Sequence, residues 1–267
     1  MIADGKNSKD YLGLQLQDMP YFRAVLRAVE CRFYQGIELP GPTLDLGCGD
    51  GHFATIAFDH PLDAGIDPWT GPVREAGKRG GYCLVTQSYG DRLPFCDGYF
   101  SSAISNSVLE HIPDVDSVVC EISRVLKPGS PFLFCVPNQN FLSNLSVSSF
   151  FDRLGLSGLG DSYRAFFNRI SRHEHCDSPE VWEARLRSAG FRVDKWWHYF
   201  SPHALRILEW GHYFGLPSWI IHTVSGRWVL ARSRWNLALT RNVVSPAYDE
   251  APMQPKGSYT FYIAKKV

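Results

Sequence analysis

The sequence has no Cys-x-x-Cys pair, no net charge and no apolar run of membrane-spanning length, and each lack removes a class of protein. Seven cysteines stand singly at positions 31, 48, 83, 96, 120, 135 and 176, an odd number without metal-ligand spacing. They read as free buried thiols of a reducing compartment, which excludes a disulfide framework and a structural zinc site. Twenty-seven basic residues balance 27 acidic ones, so the chain lacks the electrostatic footprint of a nucleic-acid binder. No stretch reaches the ~18 consecutive apolar residues that a membrane span needs, and no basic-then-apolar leader opens the chain. A cytoplasmic protein without a nucleic-acid partner is expected.

What is present is enough for one large core: 267 residues, 45% hydrophobic and 14% aromatic, expected to form a single domain over 1–267. Residues 1–10 are polar and expected to be loose. From Asp18 to about Gln35, Met19, Phe22, Val25, Leu26, Val29 and Phe33 recur at helical spacing, which predicts a helical lead-in over 1–38.

The stretch Thr43-Leu44-Asp45-Leu46-Gly47-Cys48-Gly49-Asp50-Gly51 follows the breaker Pro40-Gly41-Pro42. An apolar run, then three glycines on alternate positions, then the apolar Phe53, Ala54, Ile56 and Ala57 predict a strand, a tight turn and a helix with Asp50 as its N-cap. Glycine is required where a backbone takes positive φ or lets a ligand lie against the main chain. This is the unit by which doubly wound α/β proteins hold nucleotide-like ligands. A dinucleotide fingerprint, however, needs its third glycine one residue later, where His52 stands. Asp45 and Asp50 would repel a diphosphate and suit a cationic ligand.

In these residues the chain resembles motif I of the class I S-adenosylmethionine-dependent methyltransferases, whose ligand carries an ammonium and a sulfonium and no phosphate. The resemblance implies S-adenosyl-L-methionine as cofactor, with Asp45, Gly47, Cys48, Gly49 and Gly51 around it. Leu62 to Asp67 reads as a second strand ending in an acid, the place that grips ribose hydroxyls, and Asp67 matches the family's motif II. Pro68 and Trp69 are either the apolar wall of an adenine site or ordinary packing. The family usually has an acid four residues ahead of a Leu-Pro-Phe; here Tyr89 stands there before Leu93-Pro94-Phe95, and the acid is Asp91. Either Asp91 reaches the adenine amine or main-chain atoms around Leu93 do. A leading helix often covers the cofactor in this family, which makes Tyr11, Tyr21 and Tyr34 candidate pocket residues.

Tyr99 to Ser105 is predicted as the fourth strand. The following Ser105-Asn106-Ser107-Val108-Leu109-Glu110-His111-Ile112-Pro113-Asp114 resembles the small-molecule branch called methyltransferase type 11, which puts Asn106 beside the cofactor. It is not the Asn/Asp-Pro-Pro-aromatic of amino-methylating DNA enzymes. His111 is read as a general base, a pocket-lining residue or a structural one, and Glu110 as a cap or solvated acid. Lys127-Pro128-Gly129 ends a helix begun at Val115, and Pro131 to Val136 is a central strand. Ser178-Pro179-Glu180 caps a further helix, Phe191 to Phe200 is the sixth strand and Tyr259 to Ala264 the last. The resemblance then implies a Rossmann-like α/β sheet of seven strands in the order 3-2-1-4-5-7-6, strand 7 antiparallel, with helical cap insertions at 138–178 and 201–256.

The first insertion ends in Arg172-His173-Glu174-His175-Cys176-Asp177, where His173 or His175 is a candidate base or substrate contact; with no matching pair elsewhere, no metal is expected. In the second, a helix over 218–241 would align Ile221, Trp228 and Trp235 beside Arg227, Arg234 and Arg241, a face for a lipophilic or acidic substrate, for peripheral membrane contact, or for packing. The expected activity is methyl transfer to a small lipophilic or acidic acceptor, with O-methylation ahead of N or C. A non-catalytic S-adenosylmethionine-binding protein and a nicotinamide oxidoreductase remain open.

Overall fold

The computed structural model describes residues 9–214 and 234–267. Seven strands form one sheet in the order β3-β2-β1-β4-β5-β7-β6, as the resemblance implied. β1 (Thr43–Leu46), β2 (Leu62–Asp67), β3 (Tyr82–Gln87), β4 (Ser102–Asn106) and β5 (Pro131–Pro137) are parallel; β7 (Tyr259–Lys266) runs antiparallel between β5 and β6 (Phe191–Tyr199). The central strands β1 and β4 are buried along their whole length, so their carboxyl ends open at the one edge where polar groups can meet a ligand.

Alternation along the strands divides the core. Leu44, Leu46, Ala103, Phe132, Phe134 and Tyr262 face α5 (Val115–Val125) and α8 (Pro179–Ser188), through Val118, Val119, Ile122, Trp182 and Leu186. Ile104, Leu133, Cys135 and Phe261 face the other way, toward α1 (Tyr11–Asp18), α2 (Tyr21–Tyr34) and α3 (His52–Ala57). α4 (Thr70–Arg79) packs beside β2 and β3.

Several expectations need correction. The expected helix of the lead-in is present as α2, and a further helix, α1, precedes it, the two separated at Met19-Pro20, where proline lacks the N–H that a continuous helix would use. β4 begins at Ser102; Phe100 makes only an isolated bridge to Leu126. Gly51 is the N-cap of α3, and Asp50, one residue earlier, accepts from the His52 N–H at 3.1 Å. Ser178 occupies the N-cap of α8 without a side-chain capping bond. All seven cysteines are free, but Cys83, Cys96 and Cys120 are exposed. Tyr11 and Tyr34 are core residues, Tyr34 set edge-on to Phe53, Phe58 and Phe261.

The first insertion forms α6 (Ser146–Arg153) and α7 (Ser157–Ser171), a pair over the carboxyl end of the sheet. Glu209 of α9 (Pro202–Phe214) is fully buried and accepts from the Ser146 and Val147 N–H groups at 2.6 and 3.1 Å, where the positive end of α6 stabilises a carboxylate. The stripe expected over 218–241 lies largely outside the described residues. Within them, Arg241 of α10 (Arg234–Tyr248) is paired with Asp10 at 2.6 Å. Among the described residues no helix is long and apolar enough to cross a membrane.

Candidate functional site

The glycine turn leaves β1 with Gly47, Gly49 and Gly51 at φ 78°, 54° and 77°, the left-handed region in which side chains are strained. A Cβ on Gly47 would lie 2.4 Å from Val108, so the turn can abut the segment leaving β4 only as glycine. Asp67 clamps the turn from β2: its Oδ2 accepts from the Gly49 N–H at 3.1 Å and its Oδ1 from the Trp69 N–H at 3.0 Å. Each oxygen keeps a lone pair for a further donor. Burial raises the Asp67 carboxyl above the usual range, against these two bonds.

Asp45 is buried and accepts from the Tyr82 hydroxyl at 2.6 Å. Desolvation, opposed by that bond, pushes it up to about 7. Asp50 instead pairs with Arg79 at 2.8 Å, so one of the two carboxylates expected to face a cation is already neutralised. Asp45, Gly47, Cys48, Gly49, Asp50, Trp69 and Asn106 line one crevice of about 1290 Å³. That exceeds the usual ~300–1,000 Å³ of a small-ligand site.

Of the residues expected around adenine, Trp69 lines the crevice, and neither Asp91 nor Leu93 does. Trp69 is 66% exposed. The Leu93 N–H donates to Glu121 at 2.7 Å and its carbonyl accepts from Arg124 at 3.1 Å, so both its main-chain groups are already bonded. Asp91 is exposed and outside the crevice lining.

Opposite the turn, a buried carboxylate absent from the sequence reading holds the site together. Glu30 of α2, fully buried, accepts from Arg27 at 2.9 Å and Asn106 at 2.7 Å on Oε2, and from Ser107 at 3.0 Å and Tyr199 at 2.8 Å on Oε1. Asn106 also accepts from the Cys135 thiol at 3.1 Å. The hub ties α2 to the exit of β4 and the end of β6, and Ser107 is held at φ 53°, a strained conformation at the place where chemistry is expected.

The three candidate histidines separate. His111 and His173 both line the crevice, with ring centroids 5.4 Å apart. His175 does not: its Nε2 bonds the Ile112 carbonyl at 3.0 Å and its Nδ1 lies 3.4 Å from Asp177, so it fastens the insertion. His111 Nδ1 lies 2.8 Å from the Arg172 carbonyl, which can only accept, so Nδ1 carries the hydrogen and Nε2 of the neutral ring has an open lone pair. Burial lowers its pKa, opposed by that bond, and Arg27, Arg23 and Arg172 lower it further. Burial and the neighbouring His111 and His212 hold His173 at about 3, neutral throughout the physiological range.

Glu110 is buried, with Oε2 unbonded, and desolvation pushes it up to about 8. Its donor atoms and those of His111 and His173 lie within 4.8 Å of one another, a donor set of the type and number that binds divalent ions. Arg23, Arg27 and Arg172 act on the same His111, and their charge opposes a cation there. A protonated Glu110 has a stability consequence. Between the ordinary carboxyl pKa and about 8 the folded chain holds a proton that the unfolded chain releases, so stability falls as pH rises through that window. Relative to Glu110→Gln, which cannot ionise, the melting temperature of the parent is expected to drop from pH 5 to pH 8; a constant difference between the two would show Glu110 ionised in the fold.

Residues 44–134 match the model of a methyltransferase domain. A malonyl-acyl-carrier-protein O-methyltransferase from Geobacter sulfurreducens is 28% identical over 182 residues, 64% of this chain and 62% of that one. A ubiquinone/menaquinone biosynthesis C-methyltransferase from Desulfotalea psychrophila is 29% identical over 184 residues, 64% of this chain and 73% of its own. The chain spans 34% to 62% of the length of the first curated relatives it matches. A solved S-adenosylmethionine-dependent methyltransferase from Thermotoga maritima aligns over 92% of this chain and 90% of its own with a TM-score of 0.54 at 14% identity, a likeness of fold alone. On the matched domain and the strand order together, residues 44–134 carry a type 11 methyltransferase domain, set in the class I S-adenosylmethionine-dependent methyltransferase fold.

Proposed function

We propose that the chain, as one domain with its cap insertions, transfers a methyl group from S-adenosyl-L-methionine to a small lipophilic or acidic acceptor, at oxygen. The observation that carries this is the Asp67 clamp over a glycine turn that opens into the same crevice as His111. The residues fit the cofactor on their own chemistry. A Cβ on Gly49 would enter open space, so the main chain there lies bare to a ligand. Asp67 retains acceptor capacity for two ribose hydroxyls, and the second oxygen of Asp45 accepts no bond among the described residues, which suits an ammonium. Pro68 and Trp69 flank the adenine position. Bound there, the cofactor supplies a methyl group already activated on a sulfonium.

The chain's own work is then positioning, exclusion of water and handling of one proton. Phe22 and Leu26 of α2, with Phe141 and Leu208, give the crevice apolar walls. His111 Nε2 accepts the proton of the acceptor hydroxyl, its ring fixed through Nδ1 by the Arg172 carbonyl. Titration calorimetry tests the cofactor assignment: S-adenosylhomocysteine is expected to bind and NAD is not. Asp67→Ala is expected to weaken binding by about 1.5–3 kcal/mol, the loss of hydrogen bonds to a charged group. Unchanged affinity in that variant would remove Asp67 as the ribose anchor, and binding of NAD alone would overturn the reading.

A further inference from the structure

We propose that the acceptor end of the crevice is an anion site, in which the guanidinium groups of Arg23 and Arg172 hold a carboxylate or phosphate carried by the acceptor. The inference rests on the methyltransferase reading and deepens it by naming the acceptor's charge. Arg23 stands in the first turn of α2, and Arg172 follows the last turn of α7. Both line the crevice with exposed side chains, and neither has a carboxylate within ion-pairing distance among the described residues. Arg27, between them and the core, is by contrast held by Glu30.

The acids of the crevice, and Glu30 behind it, do not compensate the pair. Asp50 is matched by Arg79, Glu30 is saturated by its four donors, and Glu110 is kept protonated by burial. Asp45 lies at the β1 end, bonded to Tyr82. Glu174, exposed at the rim, is the remaining acid on this side, and it pairs with neither arginine. Two guanidinium groups without an acidic partner among the described residues thus line the same crevice as His111, and both depress its basicity. Arg23 is itself partly desolvated and crowded by Arg27, which lowers its pKa. Such crowding is relieved by a counter-ion, and the planar, five-donor guanidinium matches the geometry of carboxylate and phosphate oxygens. Arg172 also sits at φ 56°, a strained backbone position, with its carbonyl on His111. The residue that orients the proposed base therefore also presents one of the anion-binding groups. The anionic group is held, not methylated; the reacting hydroxyl lies at His111 Nε2.

The test is calorimetry on the S-adenosylhomocysteine-loaded protein with benzoate, phenyl phosphate and the neutral isostere benzamide. One of the two anions is expected to bind at least about tenfold more tightly than benzamide, the size of a charge-assisted bond, and which one wins identifies carboxylate or phosphate. Arg23→Gln and Arg172→Gln are expected to abolish that preference, and Arg74→Gln, exposed on α4 outside the crevice, to leave it unchanged. Equal binding of benzamide and both anions, or a preference that survives in both crevice variants, overturns the proposal. S-adenosylhomocysteine affinity is measured in the same variants and is expected to stay within about twofold, because neither arginine lies at the adenosine end. Should the parent fail to bind S-adenosylhomocysteine, the cofactor assignment falls by itself, while the anion preference is still read on the unloaded protein.

Discussion

Replacing Glu30 by alanine is expected to lower the unfolding free energy by about 3–5 kcal/mol, the cost of breaking a buried charge network by removing one partner. Four donors converge on this carboxylate, and the truncation strands all of them: the Arg27 guanidinium, the Asn106 amide and the Ser107 and Tyr199 hydroxyls. Glu30 is wholly buried, so the stranded donors lie in a desolvated site. Glu30→Gln should cost less, because the two hydroxyls can turn to accept from the amide nitrogen while Arg27 loses its counter-charge. Urea denaturation of the three proteins gives the order directly. An alanine variant within about 1 kcal/mol of the parent would mean that the hub carries no net stability. The same variant should weaken S-adenosylhomocysteine binding, since Glu30 holds Ser107 at positive φ beside the glycine turn.

The route by which Glu30 escaped the sequence reading is instructive. Arg27 and Glu30, three apart on a helix, look like a solvated ion pair. Yet Glu30 falls on the stripe that carries Phe22, Leu26, Val29 and Phe33, and an acid on an apolar stripe is a buried acid in need of donors. Glu110 is not a solvated acid for a related reason: it stands among Val108, Leu109 and Ile112, and residues 174 and 175, whose N–H groups bond its carbonyl at 2.8 and 3.2 Å, return over it. By contrast the conformation of the glycine turn and its clamp by Asp67 were legible in the sequence, although Gly51 and Asp67 do not line the crevice. A glycine turn has few conformational solutions, and an acid at the end of the adjacent strand has one place to point, so Gly47, Gly49, Gly51 and Asp67 could be placed from spacing and resemblance. Between His111, His173 and His175 local sequence offers no basis for choice, because the choice depends on which carbonyls the insertion brings over β4.

Among the three, His111 carries the second large expectation. His111→Asn should reduce the methyl-transfer rate by about 10²–10⁴, the usual contribution of a positioned general base, with S-adenosylhomocysteine affinity unchanged. The asparagine keeps a donor for the Arg172 carbonyl but presents no basic nitrogen to the acceptor. The pH dependence gives a readout that a merely structural role would not move. A base must be unprotonated to work, so the parent's kcat/KM should hold at neutral pH and fall only as pH drops through the lowered pKa of His111 in the free protein. In the acceptor complex an anion beside Arg23 and Arg172 offsets the charges that depress this imidazole, so the acid limb of kcat should lie at higher pH than that of kcat/KM. The asparagine variant should show neither limb. Full activity in that variant dismisses His111 as base, and cofactor binding without turnover of any anionic hydroxylated acceptor favours the binding-only alternative. A parent whose two limbs coincide would separate the anion from the base, since the electrostatic link between them is what moves one limb relative to the other.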